Sequence, residues 1–263
     1  MPTTSRYKID ALARGLEILS LFTIERFSLN LTEIVTATQL NKSTAFRMVS
    51  TLEMLEYLER DPATRCYRPG LKVLQLGFAA LNSLEISKIA QPYLKSLSNE
   101  TGETTNMTIR DGADILYIAR NPSRHIISVN TQLGSRLPVY CTSMGKALLI
   151  DLSWRELFDL LGEGPYPKLG PNTIISLDVL VSELERVRQQ GFAINDEEMA
   201  TGLISVAAPI RGPDKKVIAA INISVAGSRI SRQELESYLA PKIVDTAHQI
   251  SSALGASPQL TKK

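Results

Sequence analysis

The feature that most constrains this chain is a pair of short, apolar-periodic segments separated by a tight turn, between residues 31 and 57. The first begins at Leu31, and Thr32 is predicted as its N-cap because a threonine hydroxyl can accept from first-turn N–H groups. Asn41 follows the turn and is predicted to cap a second helix that runs from Lys42 to about Tyr57. One face of that helix is apolar, with Ala45, Val49 or Met48, Leu52 and Leu55 at helical spacing.

The remaining face of the second helix is small and polar. It carries Ser43, Thr44, Arg47, Ser50 and Thr51. A helix that enters the DNA major groove, about 12 Å wide, needs such side chains because they reach base edges and phosphates without bulk. Arg47 can bind guanine through two hydrogen bonds, and Lys42 at the helix start suits a phosphate. The alternative is a small helical bundle whose polar face is only solvated.

A predicted hairpin follows this helix. Strand-like segments 58–60 and 65–68 flank the turn Asp61-Pro62-Ala63-Thr64. Three arginines around this turn would form a basic wing beside a DNA duplex, which favours the DNA-binding interpretation. The side chains predicted to contact DNA are Thr32, Lys42, Ser43, Thr44, Arg47, Ser50, Arg60, Arg65 and Arg68.

The net charge of +2 excludes a strongly basic coat protein or an acidic tail protein. Residues 1–84 carry 10 basic and 8 acidic side chains, whereas residues 85–263 carry 19 of each. The positive charge is therefore confined to the first third of the chain. This predicts a protein that depends on base readout and dimerisation to hold a DNA site.

A further helix is predicted from Gly70. Its apolar residues recur at spacings typical of a helix–helix seam, which suits a helix connecting two domains. The alternative is an ordinary amphipathic helix packed on its own domain. The seam residues are Leu71, Leu74, Phe78 and Leu81.

From residue 88 onward, predicted strands alternate with predicted helices. A capping box of Ser231 and Glu234 opens the last helix, and Asp111-Gly112 forms a hairpin turn. The tail at residues 256–263 is predicted to be disordered. Helices are predicted at 89–98, 143–150, 154–161, 177–190 and 231–254, and strands at 104–110, 115–121, 126–132, 191–194, 203–210 and 217–225.

Two segments of this second part could bind a small molecule, since such sites combine an apolar cup with a few aimed polar groups. Residues 142–145 form a predicted loop-to-helix junction, whose N–H groups suit a carboxylate. Ser205 lies on one strand, and Asn222 and Ser224 lie two residues apart on the next, so these two share a face. Solvent exposure or satisfied sheet packing remains the alternative for Asn222 and Ser224. The acidic run 196–198 indicates a loop or a salt-bridge partner.

The sequence contains no recognisable catalytic, cofactor or metal motif. A hydrolase would need Cys141 or Ser143 as nucleophile and His125 or His248 as base, and neither histidine lies in a known catalytic motif. Cys66 and Cys141 lie outside any CxxC pair, which favours reduced thiols. The longest near-apolar run, 217–227, is shorter than the about 20 residues of a membrane helix. We expect a cytoplasmic protein that is neither an enzyme nor a membrane protein and takes no cofactor.

Seven segments of the chain each match a motif of one known protein family, and they occur in the same order as in that family. This shared order is far more specific than any single motif. The segments are residues 13–19, 31–34, 42–47, 67–77, 137–147, 191–198 and 202–209. Together they resemble the IclR family of bacterial transcriptional regulators over about residues 10–255. The resemblance implies an α+β fold with an N-terminal winged helix-turn-helix (1–69), a linker helix (70–87) and a C-terminal GAF-like α/β effector-binding domain (88–255). It also implies a homodimer or tetramer on a pseudo-palindromic DNA operator.

By this resemblance, the family's effector contacts correspond to Leu137, Ser143, Met144, Asn195, Leu203, Ser205, Asn222 and Ser224. Some members that respond to glyoxylate and pyruvate have a carboxylate, a thiol and a serine where this chain has Asn195, Ser205 and Asn222. We therefore expect a different small organic acid.

Residues 136–145 are most similar to regulators of aromatic-acid catabolism, of the protocatechuate and 4-hydroxybenzoate type. Tyr140 and Met144 would then face a flat ligand, and Ser143 or Arg136 would bind its carboxylate. The alternative is a DNA-binding regulator whose second domain only oligomerises.

Overall fold

A computed structural model describes residues 8–23, 26–83, 85–123 and 131–256. The chain divides into two compact units, with the division between Ser83 and Leu84. Of the predicted disordered tail, only Ala256 is among the described residues, and most of the predicted strand 126–132 also lies outside them.

The first unit consists of four helices and a hairpin. Its elements are α1 (Asp10–Ser20), α2 (Leu31–Thr38), α3 (Lys42–Met54), β1 (Leu58–Arg60), β2 (Tyr67–Pro69) and α4 (Leu71–Ser83). The two strands are antiparallel, and Leu29 forms an isolated bridge with Tyr67. Ile18, Ile34 and Val49 bring the first three helices onto one buried core, which Leu58 and Tyr67 join from the hairpin.

Side-chain caps set the starts of α2 and α3. Asn41 caps α3, as predicted: its Oδ1 accepts from the N–H of Thr44 at 2.8 Å. The prediction that Thr32 caps α2 was wrong. Asn30 is the cap, because its Oδ1 accepts from the N–H of Glu33 at 3.0 Å and the Glu33 carboxylate accepts from the N–H of Asn30 at 2.7 Å. This reciprocal pair satisfies two backbone donors, and it places Thr32 inside the first turn.

Apolar side chains remain exposed on two helices of this unit. Leu12 and Leu16 are exposed on α1, and Leu71 and Leu74 are exposed on α4. Because Leu71 and Leu74 are exposed, this part of α4 does not pack on its own domain, which was the alternative to a connecting helix. The side chains of the other two predicted seam residues, Phe78 and Leu81, lie outside the description.

The second unit is built on a six-stranded antiparallel sheet of strand order β5-β4-β3-β8-β7-β6. Helices α6 and α8 cover one face, and α5 and α10 cover the other. The elements are α5 (Glu85–Thr101), β3 (Thr104–Asp111), β4 (Asp114–Asn121), β5 (Arg136–Pro138), a 3-10 turn (Val139–Cys141), α6 (Ser143–Leu149), α7 (Trp154–Leu161), α8 (Leu177–Gln190), β6 (Ala193–Asp196), β7 (Leu203–Arg211), β8 (Val217–Ala226), α9 (Arg232–Glu234) and α10 (Ala240–Ala253).

The predicted final helix, 231–254, is not regular throughout. Ser231 and Glu234 form the predicted capping box at its start. Residues Leu235–Leu239 then form a π turn, directly before Pro241 in the first turn of α10. Proline has no N–H to donate and its ring clashes with the carbonyl four residues earlier, so a wider turn accommodates it.

Candidate functional site

The outward face of α3 is the first candidate site. Lys42, Ser43 and Arg47 are exposed, whereas Thr44 and Ser50 are half-buried. Within the described parts of the chain, the ion pairs include neither Lys42 nor Arg47. This face therefore offers one guanidinium, one ammonium and several hydroxyls to a partner.

The three predicted wing arginines have different surroundings. Arg68 on β2 donates to the Glu59 carboxylate from Nε at 3.1 Å and Nη2 at 2.9 Å, so a neighbour neutralises much of its charge. The Arg60 guanidinium lies 5.6 Å from the centre of the Tyr67 ring, a cation–π contact. Arg65 is exposed at the hairpin tip with a left-handed backbone, φ 59°. Arg65 is thus the wing arginine that stands exposed at the tip of the hairpin.

A cavity of about 350 Å³ in the second unit is the second candidate site. Strand register explains its polar floor, because side chains two residues apart on a strand share a face. Asn106 on β3 is paired with Arg120 on β4 and Asn222 on β8. Two residues along, Ser224 on β8 pairs with Ser205 on β7, and Ser205 pairs with Asn195 on β6. Eight predicted effector contacts line this cavity: Leu137, Ser143, Met144, Asn195, Leu203, Ser205, Asn222 and Ser224.

Hydrogen bonds join the floor side chains in one direction. Arg120 Nη1 lies 3.5 Å from Asn106 Oδ1, and it donates to Thr131 Oγ1 at 2.6 Å. Asn106 Nδ2 donates to Asn222 Oδ1 at 2.8 Å, and Asn222 Nδ2 donates to Ser224 Oγ at 3.0 Å. The guanidinium therefore stands at one end of a chain of amides that ends on a hydroxyl.

Helix α6 closes the cavity from above. The Oγ atoms of Ser143 and Ser205 lie 2.7 Å apart, which joins the first residue of α6 to the floor. Thr142 caps the helix by accepting from the N–H of Gly145 at 3.1 Å. A Cβ on Gly145 would lie 2.1 Å from the carbonyl oxygen of Val139, so glycine permits this close approach of α6 to the 3-10 turn. Met144 and Tyr117 add apolar walls.

Two predicted effector contacts lie outside the cavity. Arg136 on β5 is exposed and pairs with Asp111 and Asp114, its Nη2 lying 3.3 Å from an Asp114 oxygen. Its neighbour Leu137 takes the cavity-facing position, since successive strand residues face opposite sides. Tyr140 donates its hydroxyl to the carbonyl of Pro167 at 2.8 Å within the core between α6 and α8. Neither side chain is placed to contact a ligand in this cavity.

Among the cavity residues that sequence reasoning missed, Arg120 and Asn106 lie on the polar floor. Burial lowers the pKa of Arg120, because the cation is partly removed from water. The available signal was limited to the polar side chains of Asn106 on β3 and Arg120 on β4, and β3 carries other polar residues, such as Thr105 and Thr108. Without the register, these positions could not be distinguished from solvent-facing ones.

Behind the cavity residue Asn195 lies a buried ion cluster of Lys146, Glu183 and Glu198, here called the rim cluster. Lys146 on α6 is 1% exposed, and its Nζ donates to Glu198 at 2.5 Å and to Glu183 at 3.5 Å. The N–H of Glu198 in turn donates to the cavity residue Asn195 at 2.9 Å. Burial raises the pKa of Glu198, although Lys146 opposes the shift. The acidic run 196–198 thus supplies a salt-bridge partner, one of the two predicted alternatives.

Among the described residues considered for hydrolysis, Cys141, Ser143 and His248, no hydrogen bond joins a nucleophile to a base. Burial raises the pKa of the Cys141 thiol to about 12, so it stays protonated at neutral pH. His248 is exposed on α10, and His125 lies outside the described residues. Both cysteines are free. In the part of the chain that the structure describes, no group of three or more histidine, cysteine, aspartate or glutamate residues could hold a metal ion. Nor is any described helix long and apolar enough to cross a membrane.

Comparison with family models decides the relationship of the chain. The IclR helix-turn-helix domain matches residues 11–62, and the C-terminal domain of the bacterial transcriptional regulator IclR matches residues 78–252. The chain belongs to the IclR family. It is therefore a DNA-binding transcriptional regulator, which confirms the resemblance inferred from the seven sequence segments and the fold that this resemblance implies.

Individual relatives of this IclR-family chain cover nearly its whole length. The Pca regulon regulatory protein of Pseudomonas putida is 36% identical over 247 residues, 92% of this chain and 84% of that protein. A solved structure from Rhodococcus sp. RHA1 gives a TM-score of 0.81 at 38% identity, covering 94% of this chain and 98% of that one. An IclR homologue from Microbacterium hydrocarbonoxydans, complexed with 4-hydroxybenzoate, shares the fold with a TM-score of 0.80 at 23% identity, over 94% of this chain and 100% of that one.

Proposed function

We propose that this IclR-family regulator binds a small organic acid in the cavity of its second unit and thereby changes its hold on operator DNA. The observation that carries the proposal is the floor of the cavity, where the Arg120 guanidinium and a line of amides and hydroxyls face about 350 Å³ of space. Small-molecule sites combine apolar walls with a few convergent polar groups, and a guanidinium favours a carboxylate. The regulated genes would be those of a catabolic operon.

An aromatic acid is the finer proposal for the effector. Tyr117, Leu137, Met144 and Leu203 give the cavity apolar walls that suit a flat ring. The Pca regulon regulatory protein is a relative, and a homologue of the same fold was solved with 4-hydroxybenzoate. A ring between these walls would leave its carboxylate for the Arg120 end and a second polar substituent for Ser143 and Ser205.

For DNA, we propose that α3 enters the major groove and that the hairpin tip meets the backbone. The exposed polar side chains on the outward face of α3 support this placement, together with the exposed Arg65 at the hairpin tip. Exposed leucines on α1 and α4 support self-association as a dimer or tetramer. A dimer would place two α3 helices on half-sites of a pseudo-palindrome.

We propose that the protein acts in the cytoplasm and is not an enzyme, which the protonated Cys141 thiol supports.

Titration calorimetry tests the effector. The full chain is titrated with 4-hydroxybenzoate, protocatechuate, benzamide, pyruvate and glyoxylate. We expect saturable heat with the aromatic acids and none with neutral benzamide. Arg120→Met should weaken binding roughly 10- to 150-fold, the range for one charge-assisted hydrogen bond. The matched control Arg136→Met, outside the cavity, should bind like the wild type. Saturable binding of only a 2-oxoacid would contradict the aromatic assignment.

Anisotropy measurements on operator DNA test the coupling. A bound effector changes DNA affinity only if it binds the two states of the protein unequally. If the second unit only oligomerises, no acid will change the operator Kd.

Arg47→Ala should weaken specific binding by about 1–3 kcal/mol. Arg65→Ala should weaken all sequences alike and flatten the salt dependence. An intact footprint with Arg47→Ala would show that α3 is not the reading helix.

A further inference from the structure

We propose that Phe46 on α3 reads a thymine methyl group in the major groove. Phe46 lies between buried Ala45 and exposed Arg47, and 49% of its surface is exposed. Residues three and four apart are neighbours on a helix surface, so Phe46 shares a row with Ser43 and Ser50. An aromatic ring therefore stands beside the polar side chains that face outward from α3.

The surroundings of Phe46 favour a point contact over a protein interface. Exposed Leu12 and Leu16 of α1 line an apolar groove with Thr44 and Met48 of α3 and with Leu55, which follows α3 directly. Successive residues turn by about 100° around a helix, which puts Phe46 on the opposite flank of α3 from Thr44 and Met48. Met54, the other exposed large apolar residue of α3, lies eight residues further along, about 12 Å away along the helix axis. Phe46 therefore forms no contiguous apolar patch with it, whereas protein interfaces need such a patch.

The chemistry of the major groove identifies the contact. Thymine presents a C5 methyl group there, and apolar side chains, phenylalanine included, are its usual partners. Ser43 and Ser50 can bond to phosphates or base edges but cannot bury a methyl group. Removing about one methyl group from water is worth about 0.8 kcal/mol, which corresponds to about a fourfold change in Kd. Phe46 would then add a preference for thymine at one position of each half-site.

This inference rests on the proposed placement of α3 in the groove, and deoxyuridine tests it because it differs from thymidine only by the methyl group. A duplex is selected from a random-sequence library with the full-length wild-type chain. Each thymidine is then replaced by deoxyuridine in turn, and Kd is measured by anisotropy. In the wild type, we expect one position per half-site at which the replacement raises Kd about fourfold, and about sixteenfold when both half-sites are changed.

Phe46→Ala should lose this sensitivity at that position and keep the rest of the sequence preference. Phe27→Ala is the matched control, because Phe27 is also an exposed phenylalanine of the first unit, 70% exposed, but lies outside α3; it should keep the full fourfold response. The inference is overturned if Phe46→Ala responds to deoxyuridine as the wild type does, or if no thymidine matters. If Arg47→Ala also leaves Kd unchanged, the placement of α3 itself has failed; if Arg47→Ala weakens binding, only the role of Phe46 has.

Discussion

The face of α3 and the cavity both present serine, threonine and arginine side chains, but in opposite settings, and the cavity floor adds asparagines. On α3 the polar groups stand in water and few of them contact one another. In the cavity they are hydrogen-bonded, as in the chain from half-buried Arg120 through buried Asn106 to buried Asn222. A solvated polar group can be removed at little cost to folding, whereas removal of one member of a buried pair leaves its partner unsatisfied. Substitutions on the face of α3 should therefore change binding with little change in stability, whereas substitutions on the cavity floor should change both.

The largest effect is expected at the rim cluster. Lys146→Met leaves the buried Glu198 carboxylate without its cation, which should lower the free energy of unfolding by about 3–5 kcal/mol. Urea unfolding followed by the fluorescence of Trp154, the single tryptophan of the chain, reports on the second unit. Lys146→Met/Glu198→Met should recover much of the loss. Lys242→Met removes the more exposed pair with Glu100 and should cost far less than Lys146→Met does. Equal losses of unfolding free energy for Lys146→Met and Lys242→Met would show that burial does not make the difference between buried and solvated polar groups.

The same variant has a pH signature with a definite sign. The raised pKa of Glu198 means that the native state binds its proton more tightly than the unfolded state does. Stability from this group therefore falls as pH rises from the ordinary glutamate pKa through the raised one. Without Lys146, the pKa of Glu198 should rise further. The deficit of Lys146→Met should thus be greatest at neutral pH and shrink in acid, when Glu198 is protonated in both proteins.

A smaller effect is expected from the hydroxyl pair between α6 and the floor. Ser205→Ala leaves the buried hydroxyl of Ser143 without this partner, which should cost about 1–3 kcal/mol of unfolding free energy. The double variant Ser143→Ala/Ser205→Ala should cost less than the sum of the two single changes. Ser228→Ala, an exposed serine, should stay within about 0.5 kcal/mol. Strict additivity would mean that the two hydroxyls do not depend on each other.

Sequence reasoning succeeded where the determinants are local. Asn41 and the Ser231–Glu234 pair were found because a cap and its partner lie within three residues. The cap of α2 was misplaced, although Asn30 and Glu33 show the same spacing, because Asn30 and Thr32 are both good cap residues. Five of the eight cavity residues lie in the two segments that the residue pattern had indicated: Ser143, Met144, Ser205, Asn222 and Ser224. Leu137, Asn195 and Leu203 came from the family resemblance alone.

What the sequence could not supply was strand pairing. Arg136 and Arg120 are both arginines at the ends of short or alternating strands, and only the register of the sheet places Arg120 in the cavity and Arg136 beside Asp114. A pairing between strands distant in sequence, such as that of Asn106 with Asn222, leaves no local pattern. Neither does the π turn, which depends on how Pro241 is accommodated in the last helix.

A helix cap gives a moderate effect in the first unit, where polar residues are mostly solvated. Asn30→Ala removes the side chain that satisfies the N–H of Glu33, which should cost about 1 kcal/mol. Thr32→Ala should change the stability of α2 by only a few tenths, because Thr32 lies within the first turn. Hydrogen exchange of peptides that cover residues 31–38 measures both. The opposite order would restore Thr32 as the effective cap.

The smallest effect on folding is expected from the residue with the largest expected effect on DNA. Arg47→Ala should change the free energy of unfolding by less than about 0.5 kcal/mol, because Arg47 is exposed and alanine is a good helix former. Its stem lies along the groove that Leu12 and Leu16 line, so a loss above about 1 kcal/mol in urea unfolding would mean that the arginine packs on α1. Ser43→Ala, on the same face but outside that groove, separates the two cases. If Ser43→Ala is neutral while Arg47→Ala destabilises, part of any loss of DNA affinity in Arg47→Ala is structural. Arg47 would then affect both binding and stability, as the cavity residues do, and the contrast between the two sites would not hold for it.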